Sequence, residues 1–265
     1  MLWHCGLMNR QPPALISPVR DAAGRFPLDH PFAERPPRLH FAVTNHCNRA
    51  CPWCSTFAGP QRQTYLSPAQ FDALLPHDGP FQVQLEGGEP TLHPQLWQIV
   101  ERARAHPRCE RLVLCTNGVA LPRQAERLRP WLERLGAPLT VKLSVNHHLL
   151  EHDRGLLALA QLLGELLRSL QAADHQPREL IVNVRLRHGS PDNDSWVLRA
   201  VEQAELGIYA NCFYLQRYGL AARDPAAAEW NLPSAAASVI ELYGPDGVAH
   251  GADQLARSEA MELLP

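Results

Sequence analysis

The sequence predicts an α/β protein whose parallel strands curl into a partial barrel. Short apolar strands alternate with helical stretches from residue 38 onward, which implies βαβ units. Several strands have one apolar and one polar face, although a parallel strand covered by helices on both sides should be apolar throughout. The segments richest in cysteine and glycine follow strand ends, where ligands bind in α/β folds. Together these give a partial (β/α)6 TIM-like barrel with an N-terminal extended arm and a C-terminal β-hairpin.

The elements follow in order. Residues 9–37 carry prolines 12, 13, 18, 27, 31, 36 and 37, so residues 1–37 read as an extended arm without its own core. The core spans 38–216. Its strands are expected at 38–44, 81–86, 111–115, 139–145, 179–187 and 208–215. Helices are expected at 67–75, 94–105, 122–135, 153–173 and 192–205. Ser67-Pro68 supplies an N-cap and first-turn proline, and Asp192 or Asp194 opens the last helix. Residues 217–265 form an extension in which Val239 to Gly251 reads as a hairpin around Pro245-Asp246-Gly247, capping the barrel.

Strand alternation locates the interior. Phe81, Val83 and Leu85 oppose Gln82, Gln84 and Glu86. Leu139, Val141, Leu143 and Val145 oppose Thr140, Lys142, Ser144 and Asn146. Leu180, Val182, Val184 and Leu186 oppose Ile181, Asn183, Arg185 and Arg187. The polar faces would line a wet interior; antiparallel strands with one solvated face are the alternative.

Composition bounds the function. The 265 residues suffice for one large domain, and the net charge of −2 provides no global field for nucleic acid. Seven cysteines, an odd and scattered set, do not form a disulfide framework. Met1 to Gly6 lacks a signal-peptide pattern, and the apolar run Leu156 to Leu170 is interrupted by Gln161, Gly164, Glu165 and Arg168. The expected location is a reducing cytoplasm, with no membrane partner.

Cys47, Cys51 and Cys54 have the spacing C-x3-C-x2-C just after the first strand, with no fourth cysteine close by. Structural zinc is normally closed by four ligands, so three thiolates suggest a [4Fe–4S] cluster with one iron open. A zinc loop completed by His46 is the alternative. Gly87-Gly88-Glu89-Pro90 follows the second strand, where glycines permit close backbone approach and a carboxylate can accept from an ammonium.

With these motifs, and with Thr116-Asn117-Gly118 and Ser144-Val145-Asn146 ending strands three and four, the chain resembles the radical S-adenosylmethionine (SAM) enzyme superfamily over residues 38–216. The resemblance implies that Cys47, Cys51 and Cys54 ligate a single [4Fe–4S] cluster whose fourth iron is chelated by SAM. It places Trp53 near the adenine, Gly87, Gly88 and Glu89 on the methionine ammonium, and Ser144 and Asn146 on the ribose or methionine part. Asn117 joins this SAM-binding set, and Arg185 would pair the methionine carboxylate. Backbone near Phe213 to Leu215 would border the adenine. Asn146 stands where related sequences often carry an acid. Reductive cleavage of SAM would give a 5′-deoxyadenosyl radical that removes hydrogen from substrate, the cofactors carrying the hard chemistry. A flavodoxin- or ferredoxin-type electron donor is implied. The Pro-Asp-Gly hairpin looks like the start of the auxiliary-cluster extension of some peptide-modifying members. His250 and Gly251 stand where those carry cysteine, and no cysteine follows Cys212, so one cluster is expected.

Lys142, Asn183 and Arg187 are candidate contacts to a small-molecule or peptide substrate bearing a carboxylate or phosphate, or members of an internal network with Glu86. Cys115 ends strand three as a candidate hydrogen-atom donor or a small buried hydrophobe. His147, His148 and His152 form an acid/base or metal set, or a solvated loop. Arg217 and Tyr218 sit where a substrate rim would be. Two other functions fit the sequence: a glycyl-radical-enzyme activase, and a non-catalytic iron–sulfur or zinc protein.

Overall fold

The computed structural model describes residues 37–187, 190–215, 219–224 and 239–265. The expected N-terminal arm lies outside the described residues apart from Pro37, as do Arg217 and Tyr218.

The strands are β1 (Arg38–Thr44), β2 (Phe81–Gly87), β3 (Cys109–Thr116), β4 (Leu139–Val145), β5 (Arg178–Leu186), β6 (Ala210–Tyr214) and β7 (Val239–Tyr243). The helices are α1 (Pro68–Ala73), α2 (Leu96–Ala105), α3 (Ala125–Leu135), α4 (His147–His152), α5 (Leu156–Asp174), α6 (Pro191–Gln203) and α7 (Gln254–Leu263). One sheet has the order β6-β5-β4-β3-β2-β1-β7. Every strand pair in it is parallel, which excludes the antiparallel alternative. His40 on β1 and Phe213 on β6 border the same cavity, so the sheet curls toward closure.

Parity decides the layers. Val83, Leu85, Val141, Leu143, Val182 and Val184 are fully buried in the core with Ile99 and Val100 of α2 and with Leu159, Leu163 and Leu167 of α5. Each such aliphatic side chain contributes about 1.5–3 kcal/mol by leaving water. Gln84, Glu86, Lys142, Ser144, Asn183 and Arg185, at the intervening positions, border the cavity. At α1, Ser67 accepts from the Gln70 amide while the Gln70 side chain accepts from Ser67, a complete capping box.

Three differences from the sequence expectation matter. A seventh strand, β7, pairs in parallel with β1. Of the expected hairpin, the turn forms, with Gly244 N donating to Val248 O at 2.9 Å and His250 N to Leu242 O at 2.9 Å, but its first arm belongs to the main sheet. Neither Asp192 nor Asp194 caps α6, whose N-cap is Ser190; Asp194 turns back to accept from Arg187 N at 2.8 Å. Among the described residues no helix is long and apolar enough to cross a membrane.

Candidate active site

The cysteine loop leaves the end of β1 and is braced by its own neighbours. Asn45 accepts from Thr64 N at 2.8 Å and donates to Pro265 O at 2.9 Å. Cys47 N donates to Gly59 O at 3.1 Å, and Leu220 N to Cys54 O at 2.8 Å. Cys47, Cys51 and Cys54 all border one cavity of about 260 Å³. Burial pushes the Cys47 thiol up to about 12 and the Cys51 thiol up to about 11. The free Cys47 and Cys51 thiols are thus neutral, and a metal cation would be needed to draw off their protons.

Gly87 and Gly88 border this cavity and also lie against the cysteine loop. Gly87 has φ +125, and a Cβ on Gly88 would stand 2.1 Å from His46 O. Only a residue without a side chain fits there. Gly88 N donates to Thr44 O at 2.6 Å and Glu89 N to His46 O at 2.8 Å.

Glu89, expected on the methionine ammonium, lies behind the cavity wall. It is fully buried and absent from the cavity wall. Its carboxylate accepts from Thr91 N at 3.1 Å, Thr91 Oγ1 at 2.6 Å, Thr116 Oγ1 at 2.7 Å and Asn117 N at 2.7 Å. Burial raises its pKa, while these donors favour the ionised form. These bonds lock the loop after β2 to the end of β3. Asn117, so positioned, donates from Nδ2 to Asn48 Oδ1 at 2.8 Å and lies 3.6 Å from Cys47 Sγ.

The other expected SAM-binding residues, Trp53, Asn117, Ser144, Asn146 and Arg185, all border the cavity. Asn146 also caps α4, accepting from Leu149 N at 2.9 Å. Trp53 packs on His147 with ring centroids 4.6 Å apart. The Arg185 guanidinium lies 5.8 Å from the Phe213 ring.

The substrate candidates divide. Lys142 and Asn183 border the cavity, and Lys142 Nζ donates to Gln84 Oε1 at 2.7 Å. Arg187 does not border it: β5 ends at Leu186, so strand parity no longer governs the next side chain. Arg187 instead pairs with Asp224 at 2.6 Å, beside Trp53, in a separate recess shared with His147 and His148. Those histidines ride on α4 rather than in a loop, and His148 packs edge-on to His152 at 4.6 Å. Cys115 borders the cavity, with burial pushing its thiol up to about 11.

Among the cavity residues that escaped the sequence reading are Arg257 and His40. Arg257 on α7 pairs with Glu86 at 2.7 Å while only 4% exposed. His40 on β1 lies 3.3 Å from Glu86 and 3.1 Å from Gln84 Nε2. Burial opposes ionisation of Glu86, but Arg257, with His40 beside it, holds its carboxyl well below the usual range. The alternation of Arg38, His40 and Ala42 with Leu39, Phe41 and Val43 could have revealed His40; nothing local marks Arg257.

The residues fit the group that the resemblance implies. Thiolates are the ligands iron–sulfur clusters take, and three border one cavity. Arg49 Nε and Arg185 Nε, also at this cavity, are buried without a hydrogen-bond acceptor, as an anionic group could supply. Among the described residues no three His, Cys, Asp or Glu side chains are gathered to hold a single metal ion.

Comparison with known proteins agrees. The family model for the Radical SAM superfamily matches residues 41–141. GTP 3',8-cyclase of Chlorobaculum tepidum is 32% identical over 112 residues, 41% of this chain and 34% of that protein. Mycofactocin maturase MftC of Mycobacterium tuberculosis (strain ATCC 25618 / H37Rv) is 34% identical over 120 residues, 43% of this chain and 29% of that protein. The matches thus span about a third or less of these curated relatives. The solved structure of native anSMEcpe with bound AdoMet and Cp18Cys peptide superposes with TM-score 0.49 at 14% identity, covering 68% of this chain and 52% of that one. The family match begins on β1, takes in the cysteine loop and the Gly-Gly-Glu-Pro segment and ends in β4, so residues 41–141 are similar to the radical SAM superfamily.

Proposed function

We propose that this chain is a radical SAM enzyme acting on a polar or anionic small molecule or peptide. One observation carries the reading: the three cysteines and the polar faces of β2, β4 and β5 border one cavity. Cys47, Cys51 and Cys54 would hold the [4Fe–4S] cluster. When bound, the cluster and SAM supply a 5′-deoxyadenosyl radical that takes hydrogen from the substrate.

The chain's own share is to bind, orient and exclude water. Gly87 and Gly88 present backbone to the methionine ammonium. Arg185 offers its buried, unpartnered Nε to the methionine carboxylate. Ser144, Asn146 and Asn117 supply polar contacts along the same wall, and Trp53 closes the side next to the recess of α4. Lys142 and Asn183 face the substrate. An electron donor of flavodoxin or ferredoxin type completes the cycle.

The test is anaerobic reconstitution with iron and sulfide, followed by dithionite and SAM. Wild type should release 5′-deoxyadenosine. Cys47→Ala, Cys51→Ala and Cys54→Ala should each lose iron and product, whereas Cys109→Ala keeps both. An iron-loaded wild type that releases no 5′-deoxyadenosine refutes the reading.

A further inference from the structure

The cavity has two layers. Gly87, Ser144 and Asn146 lie at the strand ends beside the cysteine loop. Gln84 is three residues deeper than Gly87 on β2, roughly 10 Å along the strand, and Lys142, one residue beyond the Val141 that Leu114 brings level with Leu85, reaches back to Gln84 Oε1 at 2.7 Å. Below the strand ends the cavity is bordered by Gln84, Glu86, Lys142, His40 and, paired with Glu86 from α7, Arg257.

The charges in that layer do not cancel. Lys142 and Arg257 are cationic and Glu86 is the one carboxylate among these residues. One Glu86 oxygen takes Arg257 at 2.7 Å, and the other faces His40 at 3.3 Å. Arg257 Nη2 also donates to Gln254 Oε1 at 3.1 Å, but its Nη1 is buried with no hydrogen-bond partner among the described residues. If Arg257 served only to tie α7 to the sheet, the Glu86 contact would suffice. A spare buried donor beside an unbalanced positive charge is costly unless something arrives to accept it. Burial, with repulsion from Arg38 and Arg185 that Cys115 and Glu86 offset only in part, pushes Lys142 down to about 8.

We propose that Arg257, with Lys142, recognises a carboxylate or phosphate group of the substrate, so that the C-terminal helix α7 sets substrate specificity. The proposal rests on the reading of the chain as a radical SAM enzyme. Arg257 supplies a planar fork, Lys142 a point charge, and Glu86 holds the fork in place at the cost of competing for it.

The experiment is calorimetric titration of the iron- and SAM-loaded full chain with inorganic phosphate and, separately, with glutarate. One probe should saturate on wild type, and which one does identifies the anion. Arg257→Gln should weaken it by about tenfold or more, the loss expected for a hydrogen bond to a charged group. Glu86→Gln should tighten it, because it frees the guanidinium. Arg102→Gln, a surface change, should leave it unaltered. A purely structural ion pair predicts that neither variant shifts affinity, or that both shift it in the same direction; either result overturns the proposal, as does a wild type that saturates with neither probe. If Arg257→Gln fails to fold, Glu86→Gln still decides by its sign. Wild-type release of 5′-deoxyadenosine is scored separately. Product without these affinity changes overturns the proposal and spares the enzyme reading; the affinity changes without product do the reverse.

Discussion

Replacing Glu89 by alanine should destabilise the fold far more than a surface contact would. The change removes the shared acceptor of four donors: the Thr91 and Asn117 amides and the Thr91 and Thr116 hydroxyls. The hydroxyls can rotate toward other acceptors, but the two backbone amides cannot. The buried Asn117 amide left unsatisfied costs about 1–3 kcal/mol and the half-buried Thr91 amide less, so Glu89→Ala should lose about 2–4 kcal/mol. Typical stabilities are about 5–15 kcal/mol, so this is a large share of the total. Glu89→Gln keeps the volume and one oxygen, but sets an amide donor against either the Asn117 amide or the donors on the other oxygen. Its loss should be smaller, about 1–3 kcal/mol. The assay is urea unfolding of the three proteins with linear extrapolation. A second readout is iron retained after reconstitution, which should fall because Asn117 also braces the cysteine loop. A loss below about 1 kcal/mol for Glu89→Ala would refute the argument that this carboxylate locks the loop to β3.

Gly88→Ala should also destabilise, by about 1–3 kcal/mol or more, because its Cβ would stand 2.1 Å from His46 O, a backbone atom that cannot swing aside; an unchanged urea midpoint would show that the close approach is not needed. Asp194 makes stability pH-dependent. Burial pushes its carboxyl up to about 6 from 3.8, so the folded state binds the proton more tightly than the unfolded one. Its contribution is fully present below pH 3.8 and is lost as pH rises through about 6. Asp194→Asn, which keeps an oxygen to accept from Arg187 N, should therefore be more stable than wild type above about pH 6, with the gap closing in acid. Melting curves from pH 4 to 8 check this, and a gap that does not vary with pH would sink it.

The parity of β2, β4 and β5 was legible because strand side chains alternate with a period of two, so Gln84, Lys142, Asn183 and Arg185 could be placed inside from their own segments. The cysteine loop and the Gly-Gly segment were legible because spacing within one short loop restricts what it can hold. The same rule failed at Arg187, one residue beyond the end of β5, where the chain leaves the sheet and the side chain turns to Asp224. It was silent on Glu89: the motif places a carboxylate after β2, but only the arrival of Thr116 and Asn117 from β3 decides that the carboxylate points into protein.

The sequence by itself determined an α/β barrel with a three-cysteine loop and a polar interior, because hydrophobic period and motif spacing are local properties. The tertiary structure alone brought Arg257 from α7 to Glu86 on β2 and made β7 the neighbour of β1. Those contacts join segments far apart in the chain, and their energy depends on burial and on which charges face each other, neither of which has a period to read.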